Sequence, residues 1–292
     1  MKVLESLGFK PRLAPRALDV RGSYLAGTRE DRLQDFHTMF LDDEVKAIFC
    51  SGGGYASIQL LPDIDWDIIE KHPKIFVGFS DITTLLTAIT EKTGLITFHG
   101  PTVEQGLSME TKSGKFTVKN LKQAVMKGEP GKLSGHTEWK ALRSGRVEGI
   151  TVGGNLNVLL SLMGTPYEPK WDGKILFWEE VHETVEGLDN YLWRLRIAKV
   201  FKKIEGMVIG KITELQPIDE ETESWPNLDK PPTIEDVIMK ATEGFNFPIL
   251  YGVDFGHDVP SLTLPVGVKA ILDCPAPGKV GRFSIDEKYL SE

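Results

Sequence analysis

"KIFVGFSDITTLLTAI", residues 74–89, decides how this chain folds. Its first half is a run of apolar, β-branched and aromatic residues, the composition of a buried strand. Its second half has apolar residues at helical spacing and is closed by Gly94. Ser80 stands at the junction, straight after Gly78-Phe79, and two readings of it are open. Serine is a preferred helix N-cap, and removing such a cap costs about 1 kcal/mol of stability. A serine on a sharp strand-to-helix turn is also a nucleophile held at the carboxyl end of a sheet. There the free N–H groups and positive dipole end of the helix favour an oxyanion. Residues 78–82 fall short of a full G-x-S-x-G because Ile82 replaces the second glycine. The cap alone suffices to explain this motif.

Around this stretch, strand and helix alternate. "VLESLGF" (3–9) ends an amphipathic helix at Gly8, and residues 29–43 carry Leu33, Phe36, Met39 and Phe40 at helical spacing. "VKAIFC" (45–50) is a short strand running into the glycine turn "SGGG", residues 65–73 form a helix ended by Pro73, and "LITFHGP" (95–101) is a further strand. Short connections between alternating strands and helices predict a parallel sheet, so residues 1–105 read as one doubly wound layer. Residues 106–149 are polar and punctuated by glycine, and read as a connector carrying one helix over 118–128. Residues 150–292 read as a second α/β domain. It has strands over 174–181 and 206–212, helices over 187–204 and 234–244, and a hairpin-like pair near its end.

Composition excludes several function classes. A net charge of -8 makes the chain a poor ligand for polyanions, which need clustered Lys and Arg, so no nucleic-acid partner is expected. Cys50 and Cys274 lie far apart and outside any CxxC, which argues against a disulfide framework and fits a reducing compartment. The N-terminus has no apolar signal core, and no apolar run is long enough to span a bilayer. No membrane partner is expected, and the expected location is the cytoplasm.

Nothing in the sequence calls for a cofactor or a metal. "CSGGGYAS" (50–57) has Ser57 where a dinucleotide fingerprint has its third glycine. "HETVE" (182–186) lacks the second histidine of H-E-x-x-H. Cys50, at the end of a buried strand, reads as inert core. The glycine run also suits a second oxyanion loop, with Gly53 or Gly54 bringing an unencumbered N–H to a substrate carbonyl. A plain tight turn explains it equally well.

A serine hydroxyl needs a base and an orienting acid. Of six histidines, His37, His72 and His136 read as surface or turn residues, and His182 follows a strand among acids. His99 ends a strand near the Ser80 sheet edge and is placed to line the pocket. His257 sits in the glycine-introduced loop "DFGHD". Glu179 and Glu180 end the strand "KILFWEE". Each of these, taken singly, has an adequate structural explanation.

Four blocks in order decide among these readings. They are residues 23–65, residues 74–101, "GGNLNVLLSLMGTPYEPKWDGKILFWEE" (153–180) and "FGHDVPSLTLPVGVKAILD" (255–273). Together they resemble the family of LD-carboxypeptidases and microcin C self-immunity proteins, over essentially the whole chain. The resemblance implies a serine peptidase with Ser80 as nucleophile, His257 as base and Glu179 as acid, Glu180 being the other candidate acid. It implies oxyanion donors at the N–H of Asp81 and at Gly53 or Gly54. It implies a Rossmann-like N-terminal domain, a C-terminal domain with a small β-barrel, a site between them without metal, and a homodimer. Tyr55, His99 and Trp171 are expected on the substrate side of the cleft.

Two departures stand out. Family members usually begin with an extra strand and a Pro-Ser turn before the helix that opens this chain; here Met1 falls inside that helix, so either the start is misassigned or the sheet has lost a strand. Many also carry arginines where Gly52 and Gln59 stand here. If those arginines hold a substrate carboxylate, this chain takes a different ligand. Two substrate classes follow from the resemblance. One is a peptidyl-nucleotide or aminoacyl-adenylate, with Trp171, Trp178 or Trp225 stacking on a base; "YLAGT", "HGP" and the absent arginine lean toward it. The other is a muropeptide with an L–D amide bond. The rival of another class is a binding protein using the same cleft, with Ser80 merely capping. For the enzyme, activity is expected to fall as pH drops through the base's pKa, about 6.5 for an ordinary imidazole.

Overall fold

The computed structural model describes residues 1–22, 24–128, 131–216 and 232–290. The Ser80 stretch folds as its pattern predicts. Strand β2 (Ile75–Gly78) leads through a single 3-10 turn, Ser80–Ile82, into helix α4 (Thr83–Thr93), which Gly94 closes in the left-handed conformation. Before it come α1 (Lys2–Ser6), α2 (Arg29–Leu41), β1 (Ala47–Phe49) and α3 (Trp66–Lys71). After it come β3 (Thr97–His99) and α5 (Lys112–Lys122). Thr28 and Asp31 form a reciprocal capping box at the start of α2.

Strands β1, β2 and β3 are parallel neighbours, with Ala47 opposite Ile75 and Val77 opposite Phe98. The fourth strand of this sheet, β9 (Leu264–Val266), comes from far along the chain and runs antiparallel to β3. Among the described residues no strand precedes β1. Phe40, Ile69, Phe76, Leu86 and Ile89 fill the core between this sheet and its helices.

The second sheet has seven strands in the order β11-β10-β5-β6-β7-β8-β4. They are β4 (Lys140–Arg143), β5 (Gly145–Asn155), β6 (Lys174–Val181), β7 (Gly206–Thr213), β8 (Ile249–Tyr251), β10 (Lys269–Cys274) and β11 (Arg282–Ile285). The four inner strands β5 to β8 are parallel and the outer pairings are antiparallel. Lys140 of β4 bridges Val280, just before β11, so the two edges approach and the sheet curls into a half-barrel. Helices α6 (Leu156–Leu160), α7 (Val185–Ile197) and α8 (Ile234–Ala241) complete the chain. No helix among the described residues is long and apolar enough to cross a membrane.

The stretch read as a connector holds more structure than its texture predicts. It contains α5, β4 and the first half of β5, the longest strand, so a boundary at residue 150 cuts β5 in two. The reason is burial. Residues 145–150 pair with β10 near the sheet's edge and carry two glycines and two exposed charges, Arg146 and Glu148, so only Thr151 onward carries a fully buried pattern.

Strand β6 sets the polarity of the site. Ile175 and Phe177 face the core inside the curl, and Leu176 and Trp178 face the core under the helices. By the two-residue period of a strand, Glu179 follows the first face and Glu180 the second.

Candidate active site

Ser80 does not cap its helix. It makes no side-chain capping bond, and its backbone has φ 61°, a left-handed conformation costly for a non-glycine residue. The turn is possible because of Gly78. A Cβ there would lie 2.6 Å from Ile82 Cγ2 and 3.2 Å from Cys50 Sγ. The hydroxyl is instead directed to His257, with Nε2 2.9 Å from Ser80 Oγ. The other ring nitrogen, Nδ1, lies 2.6 Å from Glu179 Oε2. An ionised carboxylate only accepts hydrogen bonds, so Nδ1 carries the proton and Nε2 is free to accept from the serine.

Glu179 is fully buried, and its second oxygen, Oε1, has no hydrogen-bond partner among the described residues. A buried carboxylate with one partner holds that partner strongly. Two glycines make the approach possible. β7 carries an extra residue between the partners of Trp178 and Glu180, and Gly210 there leaves room for the Phe255 ring. Gly256 has φ +128°, and a Cβ on it would stand 3.1 Å from Glu179 Oε2.

Glu180, the alternative acid, does other work. It accepts from Asn155 Nδ2 (2.7 Å), Asn157 N (2.9 Å) and Val181 N (3.0 Å), so it braces the start of α6 rather than an imidazole. Burial pushes its carboxyl above the usual carboxylate range.

The glycine loop lies against the nucleophile. A Cβ on Gly53 would stand 3.0 Å from Ser80 Cβ, 3.2 Å from Oγ and 3.8 Å from Asp81 N. Gly53 is thus the nearer of the two candidate glycines, and Gly54 (φ +130°) supplies the turn. Asp81 has a second role that the sequence did not disclose. Its Oδ2 accepts from Ala56 N (2.9 Å), Ser57 N (2.8 Å) and Ser57 Oγ (2.7 Å), tying the glycine loop to the serine turn. On the far side of this loop, Arg32 donates to the Gln59 side-chain oxygen at 2.9 Å.

The other expected residues separate. Tyr55 is 83% exposed beside the glycine loop. His99 lines a small cavity with His257, Gln105 and Ser261, but it is buried in an aromatic box of Phe79, Phe177 and Phe255. Burial pulls its pKa down to about 4, so it is neutral there. Trp171 is corrected by the structure. It is a core residue at 3% exposure, donating Nε1–H to Glu168 at 2.8 Å, and offers no face to a ligand. Trp178 is likewise core, and Trp225 lies outside the described residues. Burial pushes the Cys50 thiol up to about 12, which keeps it protonated.

Residues that sequence reasoning missed hold the His257 loop. Asp254, fully buried, accepts from His136 N (2.8 Å), Thr137 N (3.0 Å) and Trp139 Nε1 (3.0 Å). Lys211 donates to Pro260 O at 2.8 Å, and Gln105 donates to His257 O at 3.1 Å. A buried-strand pattern ending in an aspartate was the one available signal for Asp254. Nothing local marks Gln105.

The pattern of an LD-carboxypeptidase N-terminal domain matches residues 1–100, and that of the C-terminal domain matches residues 148–272. A probable murein peptide carboxypeptidase of Bacillus subtilis is 38% identical across 98% of this chain and 87% of its own length. The chain belongs to the LD-carboxypeptidase family of serine peptidases. A second family member, the microcin C7 self-immunity protein MccF of Escherichia coli, is 31% identical over 92% of this chain and 81% of its own. The structure of MccF in complex with glutamyl sulfamoyl guanosine superposes with a TM-score of 0.87 at 28% identity, covering 99% of this chain and 90% of that one. For an LD-carboxypeptidase family member, a hydroxyl, an imidazole and a buried carboxylate in sequence are a means of acyl transfer.

Proposed function

We propose that this LD-carboxypeptidase family member hydrolyses an amide bond of a small peptide through Ser80, His257 and Glu179. The observation that carries the reading is the continuous chain of hydrogen bonds, Ser80 to His257 to Glu179, at 2.9 and 2.6 Å. His257 Nε2 accepts the serine proton as Oγ attacks the carbonyl carbon. The oxygen becomes an oxyanion held by the N–H of Asp81 and of Gly53, and one such donor is worth about 10²–10³ in rate. The C–N bond then breaks as His257 returns the proton to the departing amine. Water, deprotonated by the same nitrogen, opens the acyl-serine and restores the enzyme. Throughout, Glu179 fixes the imidazole tautomer and stabilises its charged form.

An L–D amide of a muropeptide stem is the first substrate class. The 38% relative is a probable murein peptide carboxypeptidase, and Trp171, the residue expected to stack on a base, is buried. A peptidyl-nucleotide or aminoacyl-adenylate is the second, favoured by the 0.87 likeness to MccF holding an aminoacyl sulfamoyl nucleoside. The protein acts in this reading without cofactor and as a homodimer. Incubation with an L,D-tetrapeptide and with an aminoacyl sulfamoyl adenosine separates the two. Release of the terminal D-amino acid alone supports the first class, and cleavage of the nucleoside conjugate alone supports the second. Cleavage of neither, by protein that binds both, returns Ser80 to a binding protein.

A further inference from the structure

Beside the glycine loop stands a carboxylate to which no part of the reaction has been assigned. Glu104 follows β3 in a turn whose backbone is fixed to the glycine loop. Val103 N donates to Cys50 O at 3.0 Å and Glu104 N donates to Ser51 O at 2.9 Å. The next residue, Gln105, reaches the other wall of the cleft through its bond to the His257 carbonyl. Glu104 is therefore held between the glycine loop and the histidine loop. Its side chain lies over the glycines: a Cβ on Gly52 would stand 2.6 Å from Glu104 Oε2. The neighbouring Gly53 is the residue that touches Ser80. The carboxylate is exposed, and it has no ion pair or hydrogen bond among the described residues.

A fixed backbone carrying an unpaired charge at the mouth of a cleft selects the sign of what enters. We propose that Glu104 is a specificity-determining residue that recognises a protonated amine carried by the substrate next to the scissile amide. The inference rests on the peptidase reading and adds the substrate's charge to it. An ammonium donates to the free carboxylate oxygens, whereas a carboxylate in the same place is repelled. The amine is either the α-amine of the acyl residue or the side-chain amine of a diamino acid there. Both offer the same chemistry to Glu104.

Binding to Ser80→Ala protein tests this without requiring turnover. Three ligands are compared by calorimetry: L-lysyl-D-alanine acetylated on Nα, on Nε, and on both. The expected result is that one singly acetylated peptide binds roughly fivefold more tightly than the doubly acetylated one, the size of a good partly exposed ion pair. Which one does so identifies the amine. In the Ser80→Ala, Glu104→Gln protein that advantage should fall to about one. Equal binding of all three peptides, no binding of any, or an advantage that survives Glu104→Gln overturns the proposal. The peptidase reading fails separately. If protein with Ser80 intact cleaves none of the substrates while the Glu104-dependent preference persists, the hydrolysis is wrong and the charge selection stands.

Discussion

The two halves of the site are built by different means. The serine half is local: within residues 78–82 a glycine permits the turn, a strained backbone lifts the hydroxyl, and the helix starts behind it. The histidine–glutamate half joins residues 78 apart in sequence, and depends on a strand period, an extra residue in β7 and a glycine at 256. The first half stores its cost in one backbone conformation. The second stores it in a buried carboxylate that, among the described residues, only His257 satisfies. Chemistry should therefore be lost from either half, but stability mainly from the second.

The largest effect expected is on turnover in Ser80→Ala, a loss on the order of 10⁶, with a melting temperature close to the parent's because the hydroxyl caps nothing. A loss of stability as large as that of a missing cap, with cleavage intact, would reverse the assignment. Glu179→Gln should lower kcat by about 10⁴, since an amide in that place no longer enforces the imidazole tautomer. In His257→Ala the expected signature is thermodynamic. Glu179 loses its partner, and urea denaturation should register a loss of about 1–3 kcal/mol, the usual penalty for leaving a buried hydrogen-bonding group unsatisfied. A His257→Ala protein as stable as Ser80→Ala would remove the contrast between the halves.

His99 sharpens the comparison through pH. Its folded-state pKa is lowered to about 4 by burial, so the unfolded chain takes up the proton first as pH falls. Its contribution to stability is whole above about 6.5 and is lost as pH drops to about 4, up to roughly 3 kcal/mol. His99→Phe, which suits the surrounding rings, should flatten that limb of the stability–pH curve. An unchanged limb would mean that His99 is not held neutral. The smallest effect is expected from Glu180→Gln, with kcat changing by less than about threefold because its bonds end on α6.

This division explains what could be read from residues alone. β2, α4 and the Gly94 stop were legible because each is a local pattern, and the Ser80 turn was legible as a question. β4 and the start of β5 were hidden because glycines and charges near a sheet edge imitate a loop. The choice between Glu179 and Glu180 could not be made from their neighbourhood, since adjacent strand residues differ only in the face they take. The face is set by Phe177 and Trp178 packing into separate cores. Glu104 carried no signal at all, because its meaning comes from Gly52, far back in the chain.

The central claim is that the imidazole of residue 257 activates the hydroxyl of residue 80. A fluorophosphonate probe followed by peptide mapping measures this directly. The parent protein should carry one adduct, on Ser80, and Glu180→Gln should label at the parent's rate, whereas Glu179→Gln and His257→Ala label far more slowly. An adduct on another residue, or labelling of Ser80 at full rate without His257, would contradict it.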